Sequence, residues 1–223
     1  YRLAPLNLVP RLQAVLDRLC REGLVDDSLL EEYRGSLTFS CPGEVAEPRT
    51  LIVVAMPSPA VKVRFQMETG PLEAVIPPTY ISSAERGRLL GALRAIMAPA
   101  GFSVARASGP VKLLAVHTGL AQYGRNNLAY VRGMGSSTRL DVYCADADLG
   151  AVPYESKGSL RLSCCPPCRN CHHVCPTGCI PYDGTVIDAT RCLTYFNEHE
   201  GEWPDWLDPA VHNALGGCMR CHA

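Results

Sequence analysis

The sequence has no run of eighteen or more apolar residues, which excludes a helix long and apolar enough to cross a bilayer. Its first residues, YRLAPLNLVPRLQ, lack both the basic-then-apolar order and the cleavage site of a secretory signal, and they carry no initiator methionine. A cytoplasmic chain is expected, with no membrane partner. No excess of charge of either sign is present: 21 Lys and Arg face 22 Asp and Glu, for a net charge of −1. That balance gives no support to a polyanion partner, so nucleic acid is not expected. Also missing are the G-x-S-x-G elbow of a serine hydrolase, a Walker or Rossmann glycine motif, and any solenoid-type repeat.

Cysteine, by contrast, is abundant. Twelve are present: Cys20, Cys41 and Cys144 are scattered, and the other nine lie between residues 164 and 221. The stretch SCCPPCRNCHHVCPTGC, from Ser163 to Cys179, packs six into seventeen residues. A chain of 223 residues with 47% hydrophobic side chains buries a core without staples, so a disulfide scaffold of the small secreted kind does not fit.

Periodicity divides the chain in two. Leu12, Val15, Leu16 and Leu19 recur at helical spacing from Pro10 to Glu22, with Gly23 as a stop, and Asp27 caps a second helix through Tyr33. TLIVVAMP reads as a buried strand over Thr50–Met56, and VKVRF and EAVIPP as a hairpin around ETGP. Ser82 and Glu85 make a capping box ahead of a helix carrying Leu89, Leu90, Leu93, Ile96 and Met97. GFSVARA begins a strand, PVKLLAVHTGLAQYG a helix, and RLDVYCAD a further strand. The class expected is α+β, with a cofactor-binding domain over 1–158. From Ser163 on, cysteine, proline and short polar turns replace apolar periodicity, as in a segment organised by metal. The boundary is expected within AVPYESKGSL, giving a second, ferredoxin-like domain over 159–223.

The spacing Cys165, Cys168, Cys171, Cys175, Pro176 is C-x2-C-x2-C-x3-C-P, the bacterial ferredoxin run, in which the fourth cysteine serves the other cluster of a two-cluster protein. A second set must then lie downstream, and Cys192, Cys218 and Cys221 supply it. Cys175, Cys192, Cys218 and Cys221 complete one four-thiolate site; Cys165, Cys168 and Cys171 begin the other. The chain stops at CMRCHA, where such a run would be cut just before its last cysteine, so the eighth ligand is expected past Ala223; Cys164 and Cys179 are the substitutes within the chain. Zinc is the competing reading, as paired C-x2-C with His172 or His173, but the x2-x2-x3-Pro spacing is far more specific to iron–sulfur. Both histidines are expected to point to solvent, and Trp203 and Trp206 to pack over the clusters.

Residues 112–149, KLLAVHTGLAQYGRNNLAYVRGMGSSTRLDVYCADADL, followed by CPTGCIPYDGTVIDATRCLTYFNE, resemble the epoxyqueuosine reductase family and its relatives the reductive dehalogenases. The matching positions are Gly119, Leu120, Gly124, Arg125 and Asn126, then Gly135, Arg139, Leu140 and Asp146, with Cys175 to Cys192 beyond, and the resemblance spans roughly 107–223. It implies a cobalamin-binding domain joined to a domain with two [4Fe–4S] clusters, which pass electrons to the corrinoid; the cofactor carries the hard chemistry. It also implies cofactor-facing loops at Tyr123, Gly124, Arg125, Asn126 and Asn127, and at Gly133, Met134, Gly135 and Ser136, together with Arg139. Read alone, Gly-Arg-Asn-Asn is also an ordinary tight turn and Gly-Met-Gly-Ser a common loop.

One position departs. The family carries a general-acid aspartate three residues before the proline that opens the helix; here Pro110 opens it and Ala107 stands in that place, and alanine donates no proton. Lys112, His117 and Tyr123 are the nearest alternative acids in sequence. The first reading is therefore a cobalamin-dependent iron–sulfur reductase of unassigned substrate, with a small molecule or a protein electron donor as partner. The second is a ferredoxin-like electron carrier with no corrinoid, and the third a tail merely folded by metal.

Overall fold

The computed structural model describes residues 1–81, 84–152, 159–184 and 186–222. Its centre is β2 (Thr50–Pro57), whose first four residues, TLIV, are all buried. It pairs along its whole length with β8 (Thr138–Ala145), from Thr50 opposite Ala145 to Pro57 opposite Thr138. The edges are β1 (Arg2–Pro5), against β2, and β5 (Val104–Arg106), against β8. The order is β1-β2-β8-β5, and every pair is antiparallel, as α+β requires.

Side chains alternate across the sheet, so two cores form. On one face Leu51, Val53, Ala105, Val142 and Cys144 pack against Leu12 of α1 (Leu8–Arg21) and Leu113, Leu114 and Val116 of α4 (Val111–His117). On the other, Ile52, Val104, Tyr143 and Ala145 pack under Leu89, Leu90, Leu93 and Met97 of α3 (Ala84–Met97). Ser82, the proposed cap of α3, lies outside the described residues.

The expected elements form, with differences that have local causes. Gly23 ends α1 in the left-handed region at φ 64°. Asp26, one residue earlier than expected, caps α2 (Asp27–Leu37) by accepting from the Ser28 backbone N–H at 2.9 Å. β3 (Val61–Met67) and β4 (Gly70–Ile76) form the hairpin, with Lys62 and Arg64 on Glu73 at 2.6 Å each. The helix expected to lead into a glycine-marked turn ends at His117, with Gly119 left-handed at φ 70°; β6 (Ala121–Tyr123) and β7 (Ala129–Val131), neither of them expected, follow as a small hairpin.

The expected domain boundary falls largely on 153–158, outside the described residues. Just after it, Leu160 and Leu162 bond the Tyr123 backbone at 2.7 and 2.9 Å, so the cysteine segment starts as a third partner of the β6–β7 hairpin. Beyond that the described chain is turns, 3-10 segments and two short helices, α5 (Asn170–His173) and α6 (Leu193–Glu198).

Candidate metal and cofactor site

All twelve cysteines are unbridged. The structure gathers the predicted ligands in two groups. Cys165, Cys168 and Cys171 lie around α5; the Cys168 N–H donates to the Cys164 carbonyl at 3.2 Å, and burial raises the Cys171 thiol, with Cys165 and Cys168 adding to the effect. In the second group the Cys175 and Cys179 sulfurs are 3.5 Å apart, and Cys179 also bonds Cys192. The contact with Cys179 pulls the Cys175 thiol down to about 4 and lowers Cys192, while the same two contacts raise the Cys179 thiol. Burial raises Cys221 to about 12, with Cys218, Cys192 and Cys175 as its charged neighbours. Cys218 is oriented by Asn213 Nδ2 at 3.3 Å.

Among the described residues no three Cys, His, Asp or Glu side chains converge as one bound ion would need. A four-iron cluster asks something else: each thiolate takes a different iron corner, so its sulfurs need not meet at a point. The donor set, thiols crowded in two groups with no carboxylate among them, fits that chemistry. Cys179 corrects one expectation, for it stands with Cys175 and Cys192 and so is no substitute ligand for the other group, while Cys164 is exposed.

His172 and Trp206 differ from expectation. His172 is half-buried, its Nδ1 2.6 Å from the Ile180 carbonyl oxygen and its ring edge-on to Tyr182, so it packs rather than facing water. His173 is exposed, as expected. Trp206 is exposed beneath the Arg191 guanidinium, and half-buried Trp203 faces His212; for Trp206 the dry shell expected over the clusters is absent, because polar GEWPDW turns hold it at the surface.

The turn between β6 and β7 joins the two parts of the chain. Arg125 is 1% exposed and sends its guanidinium into the cysteine segment: Nη1 donates to the Tyr182 carbonyl, Nη2 to that of Cys165 at 2.8 Å, and Asp183 stands 3.8 Å away. Asn126, also buried, donates to the Cys221 carbonyl at 2.7 Å and to Tyr130 Oη at 3.0 Å, and its own carbonyl oxygen accepts from the Leu128 N–H. Gly124 leaves no room for a side chain, since a Cβ there would stand 2.5 Å from the Tyr130 ring. Two adjacent residues thus grip both cysteine groups, Arg125 at Cys165 and Asn126 at Cys221.

Gly124, Arg125 and Asn126, read as cofactor-facing, are turned inward to the cysteine segment instead. Asn127 and Tyr123 are half-buried. Asn127 is left-handed at φ 59°, and both its backbone and side-chain oxygens accept from Lys112 Nζ, the former at 2.9 Å. Water reaches that amine, yet protein surrounds it on most sides, and desolvation lowers its pKa to about 8; the same surroundings raise Tyr123, whose ring lies 5.9 Å from the amine, to about 12. Gly133, Met134 and Gly135 are exposed on a left-handed loop, and Ser136 Oγ lies 3.4 Å from His222 Nδ1. Arg139 points away from this loop, its Nη2 donating to the carbonyls of Pro78, Thr79 and Ile81. Ala107 is buried in the core, so no acid stands at its position.

Positioning residues that the sequence reading passed over include Asn213 and Asn197, the latter reaching the Gly217 carbonyl at 2.5 Å. Asn213, five residues before Cys218, carries no spacing signal of its own.

No protein-family model matches the chain. The epoxyqueuosine reductase of Escherichia coli strain K12 is 34% identical over 111 residues, 48% of this chain and 27% of that protein. The same enzyme of Staphylococcus aureus strain NCTC 8325 is 27% identical over 110 residues, 49% of this chain and 27% of that protein. The fold superposes on epoxyqueuosine reductase from Streptococcus thermophilus with a TM-score of 0.63, at 19% identity, over 96% of this chain and 58% of that one. On an epoxyqueuosine reductase solved with an epoxyqueuosine-modified tRNA-Tyr stem loop, the TM-score is 0.60 at 15% identity, over 95% and 64%. The chain is epoxyqueuosine reductase-like in sequence over about half its length and shares that fold over nearly all of it. Its aligned part spans about a quarter of the curated relatives.

The last relative is solved with RNA, which runs against the expectation that excluded nucleic acid on net charge. Net charge sums over the surface and is blind to a local patch. No described helix is long and apolar enough to cross a membrane.

Proposed function

We propose that the protein is an iron–sulfur reductase that holds two [4Fe–4S] clusters and a corrinoid. Cys165, Cys168 and Cys171 would hold one cluster, and Cys175, Cys192, Cys218 and Cys221 the other. The cofactor-binding domain over 1–158 and the ferredoxin-like domain over 159–223 divide the work between them. The observation that carries the reading is the double grip of Arg125 and Asn126, which locks the glycine turn to both cysteine groups. A bridge of hydrogen bonds, charge-assisted at Arg125, would keep two redox groups at a fixed separation.

A bound corrinoid supplies a strongly reducing cobalt. This chain's own residues do the rest. Asn127, whose oxygens accept from Lys112, and the open loop Gly133–Ser136 would hold the corrinoid. The Tyr123 ring stands 5.9 Å from the Lys112 amine, which, lowered to about 8, would supply a proton that Ala107 does not. RNA is the candidate substrate class, on the strength of the relative solved with a stem loop; the group reduced is left open. Ala107 is also what favours a second reading, an electron carrier without corrinoid, since electron delivery needs no proton donor.

The test is to titrate the anaerobically purified protein with cob(II)alamin and follow the corrinoid spectrum. The reductase predicts saturable binding with about one corrinoid per chain. Absence of binding by a protein that retains its iron would leave the carrier.

A further inference from the structure

We propose that Arg86, Arg106 and Arg139, arrayed around Asp141 on the α3 face of the sheet, form a binding site for a phosphate group. The inference uses none of the cysteines and stands whether the protein is a reductase or a carrier.

Strand alternation fixes the place. Asp141 shares its side of β8 with Arg139 and Tyr143, Arg106 comes from β5 beside it, and Arg86 from the first turn of α3 above. Asp141 is fully buried: its Oδ1 accepts from Arg106 Nε at 2.7 Å, while its Oδ2 lies 2.9 Å from Arg86 Nε as an ion pair that lacks hydrogen-bond geometry. Neither contact uses the Nη groups of the two guanidiniums. Among the described residues those Nη groups find no protein acceptor, and the side chains are 47% and 27% exposed. Arg139, the third cation, is pinned by three carbonyl oxygens through its Nη2 alone.

Charge gives the second argument. Three guanidiniums face one buried carboxylate; the nearest other acid, Glu85, is already paired to Arg88 at 2.6 Å. The cluster therefore carries excess positive charge in a chain whose net charge is −1. Burial lowers the pKa of Arg139, and Arg86 and Arg106 add their repulsion. Like charges held together in part-dry surroundings are costly unless an anion joins them. The open planar forks of two arginines, preset by one carboxylate, match the oxygens of a phosphate, which each can take in bidentate fashion. Asp141 is then a positioning residue. The phosphate belongs to an RNA backbone or to a small phosphorylated molecule, and both have the same chemistry.

The experiment uses the whole chain, with Arg106→Gln, Arg86→Gln and the double variant, and with Arg11→Gln on α1 as a distant control. Inorganic phosphate and adenosine monophosphate are titrated by phosphorus-31 NMR, and an unmodified RNA hairpin by fluorescence anisotropy over a range of salt. Each single variant is expected to weaken phosphate binding about tenfold or more, and the double to abolish it, with the control unchanged. Reduction of the hairpin's log–log salt slope by about one per arginine assigns the phosphate to RNA. Loss of adenosine monophosphate binding with the RNA slope unchanged assigns it to a small ligand. Arg106→Gln removes one partner of the buried Asp141 carboxylate, so the melting midpoint is measured on every variant to confirm that it is folded. If wild type binds none of the probes, or the variants bind as wild type and lose only melting temperature, the cluster is a structural ion triad and the proposal fails. Iron and corrinoid measured on the same preparations keep that failure separate from failure of the reductase reading.

Discussion

Arg125 Nη2 donates to the carbonyl oxygen of Cys165 at 2.8 Å, so a residue from the β6–β7 turn holds the first cysteine of the ferredoxin run by its backbone. Its thiol is left free for metal. The neighbouring Asn126 does the same for Cys221 at 2.7 Å.

Replacing Arg125 with alanine removes the donors to the Tyr182 and Cys165 carbonyls and empties a site that is 1% exposed, at a cost of about 1–3 kcal/mol. Less iron per chain after reconstitution and faster bleaching of the cluster absorbance in air are expected. Arg125→Lys should recover only part, because an ammonium lacks the fork that reaches two carbonyls. Iron retention equal to wild type in Arg125→Ala would remove the bridge from the account.

Gly124→Ala drives a methyl group into the Tyr130 ring and the Asn126 amide oxygen. Overpacking of this kind costs about 1–3 kcal/mol, and here it also displaces the group that holds Cys221. The melting midpoint and iron content should fall together. A fall in midpoint with iron unchanged would show that the turn and the cysteines are not coupled.

Much of this was legible in the sequence and some was not. The long apolar elements β2 and β8 and the α3 face announce themselves by burial and period, while the cysteine spacing suggests two sets of thiols but not that Cys179 stands with Cys175 and Cys192. β1 escaped because four residues ended by a proline make no pattern, and only the register against β2 defines it. The glycine turn was found, but its direction was not: Arg125 reads as surface by type, and only the carbonyls of distant residues 165 and 182 explain its burial. The arginine cluster is invisible in one dimension, since residues 86, 106, 139 and 141 meet only through the pairing of β5 with β8 and the packing of α3 on the sheet.

His199 joins the cysteine segment to α2: Nε2 lies 2.6 Å from Glu32 Oε1 and Nδ1 2.7 Å from the Tyr195 carbonyl oxygen. The carbonyl first, then Glu32, with Glu198 adding, raise the imidazole pKa above its ordinary 6.5. A raised folded-state pKa contributes stability that is complete below 6.5 and lost as pH climbs through the raised value. The gap in melting midpoint between wild type and His199→Gln should therefore be widest at acid pH and close toward alkaline pH. A gap that is constant or grows with pH would contradict this latch.

Lys112, lowered to about 8 by desolvation, should carry a large neutral fraction at about pH 8 and be acylated there ahead of Lys62, whose ammonium is paired to Glu73 at 2.6 Å. Peptide mapping after brief labelling reads the order. Labelling of Lys62 first would place the Lys112 amine in ordinary solvent.

The most direct test of the central claim is iron content together with cobalt electron paramagnetic resonance on protein purified without oxygen and loaded with cob(II)alamin. Two clusters and a bound corrinoid predict about seven to eight irons per chain and a cobalt signal shifted from that of the free cofactor. A chain with no iron, or one with iron and an unshifted cobalt signal, would contradict it.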